Sequence, residues 1–201
     1  MKYLIILCLT IIFSSCHSAK YTSNSGSKGV LDFTEGKWIL NNAVCENCDK
    51  TSLEAKMFDF FKECIKDSLV LLDEERKMSL IKDVIPFEPS KSELKAMAEG
   101  TNAAYLITLK GEVIKDEFAA FGYEPDQDNA DYENISASSI AFYDLKTQTQ
   151  IHFVNTRGTL SVSKSMDDDD GDFVFGPSSV NILNKATKKN IKILKKNCIC
   201  K

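Results

Sequence analysis

The stretches ISASSIAFYDL (135–145) and IHFVNTRGTLSV (151–162) decide the fold class of this chain. Both carry β-branched and aromatic residues, and both alternate. Ile140 and Phe142 share a face in the first, Ile151 and Phe153 in the second. Lys146-Thr147-Gln148-Thr149 between them predicts a turn, so the two segments predict an antiparallel hairpin. His152 points opposite to Ile151 and Phe153 in this reading. It is expected to be a half-exposed strand residue and not a ligand.

Upstream, AAYLITL (103–109) is apolar on both faces and predicts a central strand. Trp38-Ile39-Leu40 and the run from Leu69 to Leu72 predict two shorter strands. A first helix opens on Thr51-Ser52-Leu53-Glu54, read as a capping box, and places Leu53, Met57, Phe60, Phe61 and Cys64 on one stripe. A second opens on Ser90-Lys91-Ser92-Glu93 and carries Leu94, Met97 and Ala98 on one face. In the last helix Ile182, Leu183, Ala186, Ile191, Ile193 and Leu194 fall in one half of the wheel. Lys185, Lys188, Lys189, Lys192, Lys195 and Lys196 fall in the other. The order β-α-β-α-β-β-β-α predicts an α/β fold, with helices packed on a mixed sheet that includes an antiparallel hairpin.

The amino terminus predicts where the protein works. Lys2 is followed by an apolar block from Tyr3 to Phe13 and then Ser14-Ser15-Cys16. The block is too short to span a bilayer and reads as a signal peptide. The small residues before Cys16 resemble a bacterial lipoprotein box, with Phe13 where that family prefers Leu. The resemblance implies cleavage before Cys16 and lipidation of its thiol. From Ala19 to Gly29 the chain is polar and is expected to be a flexible tether. The expected organisation is therefore a signal peptide at 1–15, anchor and tether at 16–31, and one α/β domain at 32–201. His17-Ser18-Ala19-Lys20 contains no acid, which favours an outer-membrane anchor facing the periplasm.

The formal net charge of −4 argues against nucleic acid as a partner. Charge is uneven, however. Asp167 to Asp170 and Asp172 form an acidic knot, whereas Phe173 to Lys201 holds seven lysines and no acid. The lysine face of the last helix is a solvated face, or a contact for anionic lipid head groups or an acidic partner. The knot with Gly171 resembles a calcium loop but has Pro177 where a bidentate acid is required. Asp126, Asp128, Asp131 and Glu133 read as a similar polar loop.

Removal of the signal and lipidation of Cys16 would leave five cysteines, in a compartment that permits disulfides. Cys64 lies on a core stripe and is expected to stay a buried free thiol. Cys45, Cys48, Cys198 and Cys200 are expected to form two disulfides tying the carboxyl terminus to the first loop, with connectivity open. Four thiols would also suit a tetrahedral zinc site, which an oxidising compartment disfavours. Cys45-Glu46-Asn47-Cys48 resembles the thioredoxin arrangement, which implies a thiol–disulfide oxidoreductase. It departs from that pattern: no aromatic precedes Cys45, and Ala103 and Ala104 stand where a proline would. Neither a Gly-x-Ser-x-Gly elbow nor a P-loop is present. Catalytic residues, metal, cofactor and small-molecule substrate are all expected to be absent.

Leu94-Lys95-Ala96-Met97-Ala98 with Thr101-Asn102-Ala103-Ala104-Tyr105-Leu106-Ile107, then Ala141-Phe142-Tyr143-Asp144-Leu145-Lys146-Thr147, then the closing amphipathic helix resemble a family pattern. It is that of TolB amino-terminal-like domains of envelope lipoproteins, which include the curli-secretion lipoprotein and activators of penicillin-binding proteins. Ala104 replaces that family's Asp, and Gln148 its turn Gly. The resemblance implies a non-catalytic module that docks other envelope components. The expected function is thus a membrane-anchored binding or assembly lipoprotein. The alternatives are a thiol oxidoreductase or zinc protein using Cys45 and Cys48, or a structural cell-surface protein.

Overall fold

The computed structural model describes residues 18–27, 29–117, 121–122, 132–162 and 174–201. The expectations for the signal peptide and Cys16, for Asp126, Asp128 and Asp131, and for the acidic knot lie outside the described residues.

In chain order the elements are β1 (Lys20–Ser27), β2 (Leu31–Asp32), β3 (Trp38–Leu40), β4 (Val44–Glu46), α1 (Lys50–Ile65), β5 (Leu69–Leu71), α2 (Leu72–Glu75) and α3 (Lys91–Gly100). There follow β6 (Tyr105–Asp116), β7 (Phe121–Gly122), β8 (Tyr132–Asp144), β9 (Thr149–Val162), β10 (Val174–Phe175), α4 (Ser179–Asn197) and β11 (Cys198–Ile199). The fold is mixed α/β: a seven-stranded mixed sheet with four helices packed on it among the described residues. The sheet order is β1-β9-β8-β6-β3-β5, with β4 also on β6. The pairs β1–β9, β9–β8 and β8–β6 are antiparallel, whereas β3 and β4 run parallel to β6, and β5 parallel to β3.

The β8–β9 hairpin is present, with its phase reversed in β9. His152 and Val154 face the helices and are buried at 2% and 0% exposure, whereas Phe153 lies on the opposite face and Ile151, at the bulge, packs beside the Phe142 cluster. His152 is therefore a core residue, not a half-exposed one. Alternation alone leaves the sign of the faces open, and the bulge at Phe142/Tyr143 shifts the register at the turn. The turn itself spans residues 145–148. Asp144 Oδ1 accepts from the Lys146 and Thr147 amides, and Gln148 takes a left-handed φ of 55°.

The stretch expected to be a tether is instead partly an edge strand. β1 pairs with β9 through the full eight-residue register from Lys20↔Thr159 to Ser27↔His152. Its polar composition cannot fill a core, but an edge strand is held by backbone hydrogen bonds and needs few side chains. Tyr21 packs at Gly158, and Ser23 Oγ meets Thr156 Oγ1 at 2.8 Å.

The first capping box is also corrected. Asp49 caps α1, its Oδ1 accepting from the Thr51 and Ser52 amides. Glu54 accepts from the Ala43 amide at 2.8 Å, which ties α1 to the loop after β3. At α3 the predicted box is present: Ser90 Oγ accepts from the Glu93 amide, and the Glu93 carboxylate from the Ser90 amide. The Lys82 ammonium, hydrogen-bonded to Glu93, leads these contacts in holding its carboxyl down to about 2.

Helices α1 and α4 share one face of the sheet. Under α1 lies an aromatic cluster. Phe33, Trp38, Phe61 and Phe142 are all at most 1% exposed, with ring centroids 4.8–6.4 Å apart. Under α4 the contact is polar. Thr156 Oγ1 donates to Asn190 Oδ1 at 2.6 Å, and Asn190 Nδ2 donates to the Ser138 carbonyl at 2.8 Å. Thr187 Oγ1 reaches Ser138 Oγ at 3.1 Å, and Ser136 Oγ donates to the Ser179 carbonyl at 2.7 Å. Gly158 lets α4 approach, since a Cβ there would stand 2.4 Å from Ile182 Cγ2. The other sheet face is half covered. Leu94 and Met97 of α3, with Ile85 and Leu72, pack on Ile39, Leu106, Ala141 and Tyr143.

Candidate functional site

The cysteines fall into two groups at opposite ends of α1. Cys45 and Cys48 are bonded to each other just before the helix, with Cα atoms 5.5 Å apart. Cys64, near its carboxyl end, is bonded to Cys200, with Cα atoms 4.7 Å apart. A 16-residue helix is about 24 Å long, so Cys45 and Cys48 are far from Cys198 and Cys200. The four thiols read as one zinc site or two cross-staples are not brought together.

The reading of Cys64 as the unpaired thiol is likewise corrected. It is buried as expected, at 2% exposure, but bonded, and Cys198 is the free cysteine among the described residues. The cause is the path of the tail. β11 pairs parallel with β2, the Phe33 amide donates to the Ile199 carbonyl, and the Lys201 amide donates to the Cys64 carbonyl. This path brings the chain end to the end of α1. Residues i and i+2 of an extended segment share a face, which turns Cys198 and Cys200 to the same side. Closing a loop across a separation of 136 residues is worth about 5 kcal/mol on the chain-entropy account.

At the other end, the CxxC lacks the thioredoxin-like feature that matters chemically. The first-turn N–H groups that would stabilise a thiolate are occupied by the Asp49 carboxylate. Cys48 Sγ is tucked against Gly111, 3.1 Å from where a Cβ would stand.

All six lysines of α4 are exposed. Two are engaged: Lys189 Nζ lies 5.0 Å above the Tyr21 ring, and Lys195 pairs with Glu63 at 3.6 Å. The helix half opposite them is less apolar than expected, because Asn190 and Thr187 sit at its centre, both at most 1% exposed.

Sequence reasoning missed a groove on the open half of the second sheet face. It encloses about 420 Å³ and is lined by Glu46, Phe87, Lys110, Glu112, Ser139 and Asn155 among others. Lys110 Nζ stands 3.1 Å from Glu46 and 3.3 Å from Glu112. The Glu46 hydrogen bond raises its pKa, burial opposes, and Glu112 adds to the rise. Lys110 is thus held as a cation. Asn155 Nδ2 donates to Ser139 Oγ at 2.7 Å. Such a row suits recognition by charge and hydrogen bonds and not proton transfer. The sequence signal was faint: Lys110 and Glu112 alternate in β6, but Ser139 shares its face with Ala137 and Ala141, and Asn155 shares its face with Phe153.

No protein family matches the chain, so the TolB-like assignment is not supported, and no curated protein matches it. Among solved structures, a PelC dodecamer from Paraburkholderia phytofirmans superposes with a TM-score of 0.48 at 11% identity, over 90% of this chain and 100% of that one. A candidate lipoprotein from Caulobacter crescentus superposes with a TM-score of 0.27 at 11% identity, over 78% and 82% of the two chains. These likenesses are loose, and no function is read from them.

Proposed function

We propose that this chain is a membrane-anchored lipoprotein of the cell envelope that serves as a non-catalytic binding or assembly module. The observation that carries the reading is the sequence Lys2, an apolar block to Phe13, and Ser14-Ser15-Cys16. Cys16 is the lipidated residue, residues 1–15 are the removed signal, and the domain faces the periplasm from the outer membrane. No helix among the described residues is long and apolar enough to cross a membrane.

The register of β1 makes this reading more specific. Strand β1 begins at Lys20, four residues past Cys16. That length of chain reaches about 14 Å at most, so the sheet end where Lys20 pairs with Thr159 sits close to the bilayer. Helix α4 starts at this end, where Ile182 packs near Tyr21. Its lysines then climb away from the surface, by about 16 Å from Lys185 to Lys196. An upright row of cations favours a protein partner carrying acidic groups over a flat lipid contact, and the groove around Lys110, where Glu46 and Glu112 flank the cation, offers a second contact of mixed charge.

The test has two readouts. Mass spectrometry of the membrane-extracted protein should find Cys16 as the acylated first residue. Cys16→Ser should move the protein from the detergent phase to the aqueous phase. An unmodified Cys16 in a mature, membrane-free protein ends the proposal. For the binding role, a photo-crosslinker at Asn155 in intact envelopes should capture a partner, and Lys110→Ala should abolish the capture.

A further inference from the structure

The tail places a third sulfur beside a disulfide. Cys64 and Cys200 are bonded, and Cys198 Sγ stands 3.9 Å from Cys200 Sγ. All three sulfurs lie within 4.8 Å of one another. Cys64 is buried, Cys198 is half-buried and Cys200 is exposed. We propose that Cys64, Cys198 and Cys200 form a thiol–disulfide exchange site in which Cys198 takes Cys200 from Cys64.

The step needs no oxidant or reductant. The Cys198 thiolate attacks Cys200 Sγ, a Cys198–Cys200 bond forms, the Cys64–Cys200 bond breaks, and the electron pair leaves on Cys64. The proton that Cys198 loses to solvent returns to Cys64. One thiol and one disulfide are present before and after.

Two features make the step reversible in place. First, the tail does not depend on the disulfide for its position. The Phe33–Ile199 and Lys201–Cys64 backbone hydrogen bonds and the pairing of β11 with β2 hold it to the end of α1. The sulfurs therefore stay at a high effective concentration after the bond moves. Second, exchange is gated and not free-running. Burial raises the Cys198 thiol, and the nearby Lys195 ammonium opposes that rise only in part. A small thiolate fraction makes exchange slow. The result is a staple across a separation of 136 residues that this chain can open by itself. Opening leaves a free thiol at the base of the aromatic core and a disulfide confined to the exposed tail, where a partner's thiol can reach it.

The experiment is alkylation of the full-length exported protein, held natively at mildly alkaline pH, acid-quenched to stop exchange, and then unfolded and labelled with N-ethylmaleimide at acid pH so that the buried Cys64 is also read. Trypsin releases Cys64 in the peptide 63–66, and Cys198 with Cys200 in the peptide 197–201. Exchange predicts that label accumulates on Cys64, together with a 197–201 peptide carrying an internal disulfide. Cys198→Ser, checked for folding by circular dichroism, should cut Cys64 labelling by about tenfold or more, since the attacking thiolate is gone. The double variant Cys45→Ser, Cys48→Ser should leave it unchanged. Label confined to Cys198 at all times, on a peptide still joined to 63–66, would overturn the proposal. So would one equivalent of zinc lost in the triple serine variant, which would make the three sulfurs a metal site.

Discussion

The two halves of the sheet's helix face are built on opposite principles. Under α1 the packing is dry and aromatic: Phe33, Trp38, Phe61 and Phe142 interlock edge to face, save for the tilted Phe33–Phe142 pair. Under α4 the same strands present Ser136, Ser138 and Thr156, which meet Asn190, Thr187 and Ser179 through hydrogen bonds. Both halves are sealed, and every residue named here is at most 1% exposed. The aromatic half stabilises through area removed from water, which is large and weakly directional. The polar half gains little net free energy per hydrogen bond, but a misplaced helix would strand several buried polar groups. The first half supplies stability, and the second fixes where α4 sits on the sheet.

The largest test of that division is Phe142→Ala. Phe142 touches Phe33, Trp38, Phe61 and His152, so its loss opens a cavity at the centre of the aromatic half. A cost of about 3–5 kcal/mol is expected from urea unfolding. A cost below about 1 kcal/mol would show that this half collapses easily and is not the reservoir of stability.

The polar half should respond differently. Asn190→Ala leaves the Thr156 hydroxyl and the Ser138 carbonyl short of a partner, at a cost of about 1–3 kcal/mol. Asn190→Leu combined with Thr156→Val removes both members of the pair. The double variant should then be more stable than the sum of the single effects, by about 0.5–3 kcal/mol. Strict additivity in that cycle would mean that Thr156 and Asn190 do not act as a unit, and the contrast between the halves would fail.

The difference between the halves also explains what could be read in advance. The aromatic half was legible, since Phe60, Phe61 and Met57 recur at helical spacing and Phe142 alternates with Ile140. The polar half was not. Asn190 and Thr187 look like solvent residues by type, and only the facing serines of β8 make them interior. Strand β1 was missed for a related reason: an edge strand is held by its backbone, and composition says nothing about backbone pairing. Of the candidate site, the exposure of the α4 lysines and the burial of Cys64 were readable. The disulfide partners were not, because pairing depends on where a two-residue strand carries the tail.

His152 is a polar ring in the dry half, and it sharpens the contrast at intermediate size. Neither ring nitrogen has a hydrogen-bond partner among the described residues. Burial lowers its pKa below 6.5, so the folded protein prefers the neutral ring. The unfolded chain binds a proton as pH falls through about 6.5, and the folded state does so only at lower pH. Stability should therefore decline as pH drops from 7 toward 5, above the range where carboxylates such as Glu117 begin to contribute. His152→Leu should flatten the urea midpoint over this window. An unchanged slope would mean that the ring has a proton partner, and that the aromatic half is not dry at His152.

The smallest effect tests whether the halves unfold together. Gln148 holds a left-handed φ of 55° in the β8–β9 turn, a conformation that costs a side-chain-bearing residue about 1 kcal/mol and costs glycine little. Gln148→Gly relieves that strain but loosens the unfolded chain, so a net gain of a few tenths of a kcal/mol is expected. Strands β8 and β9 run under both halves, with Phe142 and His152 near the turn and Ser138 and Thr156 farther along. If the sheet unfolds as one unit, amide exchange at Phe142 and at Ser138 should slow by the same factor. Slowing at Phe142 alone would mean that the hydrogen-bonded half opens by a separate, cheaper route. The polar contact that positions α4 would then also be the place where α4 lifts from the sheet.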